Sequence, residues 1–287
     1  MNFRTDLAIE NYEFTQKKEL RGVKVEELNS EGCAVSRIEV LDEYGAEAVG
    51  KPKGLYVTVE VAPFAKQPHF IDGSLQVLID EMKNMLPKKG SVLVAGLGNT
   101  SITPDALGPK CASMIFATRH IKGELLKSTG FESLRRVSAF STGVLGNTGA
   151  EAGELIKGAV DVIKPDFVIT VDALAARSVH RLGNTVQMCN SGIVPGAGVG
   201  NARQEISART LGIPVYAIGV PTVVDAATLI YEYSEADEGV PDAATRMMVT
   251  PREIDLMIER AAKTVSLAIN CALQPDISPE DMLILIA

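Results

Sequence analysis

Aspartates stand at the ends of three apolar runs in this chain, and their placement is the first sign of chemistry. Asp172 follows FVITV (167–171), a run that reads as a strand buried on both faces. A carboxylate at the mouth of such a strand costs several kcal/mol unless it is hydrogen-bonded, paired or proton-bearing. Asp105 comes after SVLVAGLG (91–98), separated from it by Asn99 and the turn residues Thr103 and Pro104. Asp225 follows PVYAIGV (214–220), Pro221 and Thr222. Two carboxylates meeting in a partly dry cleft cannot both ionise cheaply, so one keeps a proton. Such a pair can take a proton from water and return one to a leaving amine. Each aspartate also has a plainer use as a helix cap or first-turn charge. A helix start favours the ionised form of Asp105, which would leave a shared proton on Asp172.

Other chemistries find little support. The three histidines, His69, His120 and His180, are not adjacent in sequence to the aspartates. The four cysteines, Cys33, Cys111, Cys189 and Cys271, form no CxxC pair, which argues against structural zinc and against a disulfide framework. There is no GKS/T phosphate loop and no GxSxG elbow. The string SGIVPGAGVGN (191–201) spaces Gly196, Gly198 and Gly200 as GxGxG, not as the dinucleotide GxGxxG. It reads as a tight loop lining a cleft or a subunit contact, with a phosphate cradle as the alternative. A net charge of −8 argues against an electrostatic grip on nucleic acid. MNFRTDLAIENYEF at the N-terminus lacks a signal-peptide pattern, and no apolar run is long enough to span a membrane.

The elements that must position the aspartates follow from periodicity. Strands are expected at 37–41, 55–61, 91–98, 137–140, 167–174, 185–189 and 214–220. Helices are expected from Asp72 to about Leu86, from Pro104 to about His120, over 149–164, 201–211 and 225–233, and from Thr250–Pro251 onward. Strands alternating with helices predict a single α/β domain over 1–287, a three-layer αβα arrangement with a mostly parallel sheet and a small N-terminal β-rich addition. The polar segment 234–246 is expected to be a mobile loop. In open α/β sheets, reactive groups gather beyond the C-terminal strand ends, where Asp105, Asp172 and Asp225 all fall.

GLGNTSITPDALGP (96–109), VSAFSTGVLGNTGAE (137–151), KPDFVITVDALAAR (164–177), GIVPGAGVGN (192–201) and LGIPVYAIGVPTVVDA (211–226) together resemble the germination protease family of spore-forming bacteria. The resemblance extends from about Arg4 to the final helix. It implies an atypical aspartic-type endopeptidase, similar in fold to the hydrogenase-maturation proteases, that degrades small acid-soluble spore proteins at germination. It places the two essential aspartates at Asp105 and Asp172. Asn99, Thr222 and Asp225, near the same strand ends, are expected to position the substrate. It further implies a zymogen, a homotetramer in the cytoplasm of the spore core, and self-removal of a short N-terminal leader. FRTDLAIE (3–10) resembles the region of that cleavage, giving Asp6–Leu7 as the cleaved bond and 1–6 as the propeptide.

No cofactor, direct nucleic-acid partner or membrane partner is expected. In the hydrogenase-maturation proteases the corresponding acidic positions bind a metal, so a metal-dependent maturation-type peptidase is the alternative. A nucleotide-binding regulatory module using the GAGVGN loop is a third reading. The chain departs from the family in a shortened stretch between Thr228 and Met248, and at Cys189–Ser191 and Val194.

Overall fold

The computed structural model describes residues 5–15, 20–67, 69–121, 123–128, 134–233, 241 and 243–286. Its strands are β1 (Val23–Ser30), β2 (Cys33–Val40), β3 (Gly54–Glu60), β4 (Val92–Leu97), β5 (Val137–Gly143), β6 (Phe167–Ala176), β7 (Thr185–Cys189), β8 (Val215–Asp225) and β9 (Met248–Val249). Its helices are α1 (Ala8–Phe14), α2 (Glu43–Val49), α3 (Gly73–Met85), α4 (Leu107–Ser113), α5 (Glu124–Ser128), α6 (Leu145–Thr148), α7 (Ala152–Ile163), α8 (Ala208–Leu211), α9 (Ala226–Tyr233), α10 (Ile254–Leu273) and α11 (Pro279–Leu285).

All nine strands belong to one sheet, in the order β1-β2-β3-β7-β8-β6-β4-β5, with β9 beside β8. The α/β architecture is as expected. The half running β8-β6-β4-β5 is parallel, whereas β1, β2, β3, β7 and β9 pair antiparallel. The sheet as a whole is therefore mixed, because the N-terminal strands join it through β7 instead of forming a layer of their own.

β4 is buried along its whole length, as a doubly covered strand with no polar face must be. One face of the sheet packs on α3, α4 and α10, whose Leu78, Cys111 and Val265 sit in the largest core with Ile169 and Val171. The other face packs on α7, through Ile156 and Val160, and on Leu7, Ala8 and Ile9 near the N-terminus. Along β6, Ile169 and Val171 point to the first face, while Val168 and Leu174 point to the second. Period-two alternation therefore places Asp172 on the α1 and α7 side.

Local chemistry sets the ends. Asp72 caps α3 by accepting from the Leu75 N–H, and Glu151 with Glu154 forms a capping box on α7. The helix expected to run to His120 stops at Ser113. The Asn270 side chain, on α10, takes the Phe116 N–H and donates to the Met114 carbonyl, so a tertiary contact replaces the next helical turn. The helix expected over 201–211 shrinks to α8, because Ser207 caps it and Ile206 is already bridged to Ile193. α1, α2 and β1 were not legible as elements. Of the expected loop at 234–246, residues 234–240 and 242 lie outside the described residues, while Ala244–Arg246 forms a short turn before β9. Among the described residues, no helix is long and apolar enough to cross a membrane.

Candidate active site

Asp105 is held by backbone geometry. It closes a 3-10 turn, Thr103–Asp105, immediately before α4. Its Oδ2 accepts the Asn99 N–H at 2.8 Å, and the same N–H lies 3.1 Å from the Asp105 carbonyl. Two glycines make this approach possible. Gly98 sits at φ +114°, and a Cβ there would come within 2.1 Å of the Asp105 carbonyl oxygen. A Cβ on Gly96 would strike the Gly108 carbonyl at the same distance, so α4 rests directly on the end of β4. The glycines of GLGNTSITPDALGP therefore exist to bring the aspartate back against the strand it follows. Burial raises the Asp105 pKa, while the Asn99 N–H favours the ionised form.

Asp172 is the more deeply placed of the two, only 6% exposed on the central strand β6. Its one hydrogen-bond donor among the described residues is the Ala173 N–H, 2.9 Å from Oδ1. Burial pushes its pKa well above the usual carboxylate range, and the charges of Asp105 and Asp6 push it further. The two environments differ: burial and neighbouring charge favour the protonated form of Asp172, whereas the Asn99 N–H offsets part of the effect of burial at Asp105.

The third carboxylate, Asp6, comes from the N-terminal segment threaded over this face. The Asp6 N–H donates to the Ala175 carbonyl, and Asp6 Oδ2 accepts the Ala175 N–H, both at 2.9 Å. The Gly198 N–H bonds the same carboxylate, and Lys51 faces it. Lys51 Nζ donates to the Thr5 carbonyl at 3.3 Å, and burial lowers its pKa. The GAGVGN loop thus cradles a carboxylate of its own chain. Glu10 anchors the far end of the segment by accepting from the Arg177 N–H at 2.7 Å and the Ser178 N–H at 3.0 Å. Leu7 and Ala8 between them are fully buried.

The remaining expected site residues are spread around this centre. Asn99 contributes its N–H to Asp105, while its side chain accepts from the Ser101 N–H in a local turn. Thr222 is buried and donates to the Pro104 carbonyl at 2.8 Å, tying the Asp105 turn to β8. Asp225 accepts the Ala227 N–H at 2.7 Å and so caps α9. Sequence reasoning missed Gln187, Lys51 and the role of Gly198. A lone glutamine inside the buried run TVQMC and an unassigned glycine string were the available signals.

Among the described residues, no three His, Cys, Asp or Glu side chains converge as a metal group. The donor set consequently does not fit the metal that a likeness to hydrogenase-maturation proteases implies.

A family model described as germination protease matches residues 4–235. A germination protease of Caldanaerobacter subterraneus subsp. tengcongensis is 42% identical, covering 98% of this chain and 97% of the relative. One from Clostridium perfringens is 40% identical, with 98% of each chain covered. One from Priestia megaterium is 44% identical over 79% of this chain and 64% of its own. Among solved structures, a [NiFe] hydrogenase maturation protease, HycI, from Thermococcus kodakarensis is 17% identical. It covers 66% of this chain and 98% of that one at a TM-score of 0.38, a likeness too slight to pass on its chemistry.

Proposed function

This chain belongs to the germination protease family, and on that premise we propose that it is an endopeptidase in which Asp105 and Asp172 activate water against a peptide carbonyl. The observation that carries this reading is the unequal setting of two carboxylates near neighbouring parallel strands: Asp172 lies within β6, where burial and the charge of Asp105 raise its pKa, and Asp105 follows β4 and accepts a backbone N–H. In this mechanism ionised Asp105 takes a proton from water as the water oxygen bonds to the carbonyl carbon. The carbonyl π pair moves onto oxygen. Collapse of that intermediate breaks the C–N bond, and the proton of Asp172 passes to the leaving nitrogen. The products are a carboxylic acid and an amine, and the proton on Asp105 then restores the starting arrangement by passing back through solvent.

The substrates in this reading are the small acid-soluble spore proteins, met in the spore core, and the working form is a homotetramer. The chain is made shut and opens by cutting itself at Asp6–Leu7. In support, the segment around that bond already lies in the groove beside Asp172, with Asp6 bonded to Ala175 and Leu7 buried. Asp105→Asn and Asp172→Asn test the reading on a peptide from a spore protein. Each is expected to slow hydrolysis by about 10²–10⁴-fold. Near-normal cleavage by either variant overturns the two-carboxylate mechanism.

A further inference from the structure

Asp172, Gly219 and Gln187 form one row across three neighbouring strands. Asp172 of β6 is in register with Gly219 of β8, and Gly219 is in register with Gln187 of β7. Side chains in one row leave the same face of a sheet, and two strand spacings separate the outer Cα atoms by about 10 Å. The packing agrees: Cys189 and Leu174, two residues on from Gln187 and Asp172, share the core formed by Leu7 and Ile9. Gly219 in the middle of the row carries no side chain, and Leu174 packs over it, so that a Cβ there would stand 2.6 Å from Leu174 Cγ. Beside Gln187 lies a cavity of about 240 Å³ lined by Asp6, Leu174, Gln187 and Gly219.

A peptide already lies against Gln187. Gln187 Nε2 donates to the Asp6 carbonyl at 2.9 Å, and Gln187 Oε1 accepts the Ala8 N–H at 2.7 Å. One side-chain amide therefore spans Leu7, satisfying the carbonyl before that residue and the N–H after it. The amide orientation is fixed by its partners, since a carbonyl needs a donor and an N–H needs an acceptor. Gln187 is 7% exposed, so its amide would be left unsatisfied at real cost without such a peptide or ordered water.

We propose that Gln187 is the residue that receives the main chain of the substrate, donating from Nε2 to the oxygen of the carbonyl that is attacked and accepting at Oε1 from the N–H two residues further on. This rests on the peptidase reading above. The grip uses only backbone atoms, so it accepts extended polypeptide without regard to the side chains on either side of the bond. When water adds to the carbonyl carbon, negative charge gathers on the oxygen that Nε2 already faces. A donor fixed there before the reaction stabilises that charge without reorganising. Asp172 stands in the same row two strands away, and in the mechanism above it is the group that gives its proton to the leaving nitrogen.

The test pairs two enzyme variants with two substrates. Gln187→Leu removes both bonds, while Gln187→Glu keeps an acceptor for the N–H and loses the donor to the carbonyl. The substrates are a cleaved peptide and the same peptide N-methylated at the second residue after the carbonyl that is attacked. For chains cut at Asp6–Leu7, both variants are expected to lower kcat by about 10²-fold or more, as loss of an oxyanion donor does. N-methylation is expected to lower kcat/KM about 10-fold in the parent and in Gln187→Glu, and to leave Gln187→Leu unchanged. Activity of Gln187→Leu within two-fold of the parent, or an equal N-methyl effect in all three proteins, overturns the proposal. Amide exchange at Ala8 provides a reading independent of catalysis. It is expected to accelerate at least 10-fold in Gln187→Leu, and unchanged exchange refutes the grip. A parent chain that cleaves no peptide once cut at Asp6–Leu7, while Ala8 exchange in the uncut chain still responds to Gln187→Leu, removes the catalytic assignment through the peptidase reading and leaves the grip standing.

Discussion

The Asp6 carboxylate lies so close to the Gly198 backbone that a Cβ at position 198 would stand 2.2 Å from Asp6 Oδ2. Gly196 and Gly200 on either side have φ of +73° and +72° and need glycine for their own conformation, whereas Gly198 needs it only for this contact. Gly198→Ala therefore tests the contact without adding backbone strain. It is expected to push Asp6 off the Ala175 N–H and loosen the segment before α1. Amide exchange at Leu7 and Ala8 should accelerate at least several-fold, and the uncut chain should gain peptidase activity. Unchanged exchange would mean that the loop shifts and Asp6 stays bound.

Asp172 gives stability a particular pH dependence. Its folded pKa is raised well above the unfolded value of about 3.9, so the folded chain holds more protons than the unfolded one between those two values. Stability consequently falls as pH rises through that window, and the loss is complete above the folded pKa. Asp172→Asn cannot ionise and is expected to remove this part of the fall. Urea midpoints should coincide for the two proteins near pH 4. At higher pH the variant should unfold at higher urea, even though it is expected to be inactive. A variant less stable than the parent at every pH would show that the carboxyl group is needed for folding, independent of its charge.

The division between what could and could not be read from sequence follows from where each signal resides. Asp105 and Asp172 were legible because apolar runs announce buried strands, and a charge at the end of such a run is conspicuous. The parallel half of the sheet was legible from the same alternation. β1 was not, because its residues alternate between half-buried and exposed on an edge strand rich in Lys, Glu, Asn and Ser. α1 is seven residues long and is held by Glu10 against β6, a contact between positions 167 and 168 residues apart that no local pattern can carry. Gln187 was hidden for a similar reason. Its significance arises only from the register that sets β7 beside β8 and β8 beside β6, and from the passage of the N-terminus above that row.

Thr222 is expected among the substrate-positioning residues, and in the structure its hydroxyl bonds to the chain itself. It donates to the Pro104 carbonyl, while the Thr222 carbonyl accepts from the Thr250 hydroxyl at 2.9 Å. Thr222→Val preserves shape and removes the first of these bonds. Leaving the Pro104 carbonyl unpaired is expected to cost about 1–3 kcal/mol of stability, seen as a lower urea midpoint. Because Pro104 directly precedes Asp105, kcat should fall about 10-fold with KM nearly unchanged, as for loss of positioning. Thr222→Ser restores the hydroxyl and should restore most of both. A Thr222→Val enzyme with raised KM and parental kcat would return Thr222 to the substrate.

Chelation separates the two-carboxylate reading from the metal-dependent alternative. Transition metals and zinc are held by three or more protein donors in most catalytic sites, and no such group converges among the described residues. A metal at Asp105 and Asp172 would also have to bind a carboxyl whose pKa burial and the neighbouring Asp105 and Asp6 raise, so that binding works against the protonated form they favour. A metal ion would itself offset that repulsion, so the comparison must be made on the enzyme in solution, with metal content measured alongside rate. Hydrolysis of a spore-protein peptide is expected to proceed at the parental rate after exhaustive chelation and removal of the chelator, with metal content near zero. A rate that collapses on chelation and returns with one divalent ion per chain would assign the site to metal-assisted hydrolysis, with Asp105 and Asp172 as ligands in place of an acid and a base.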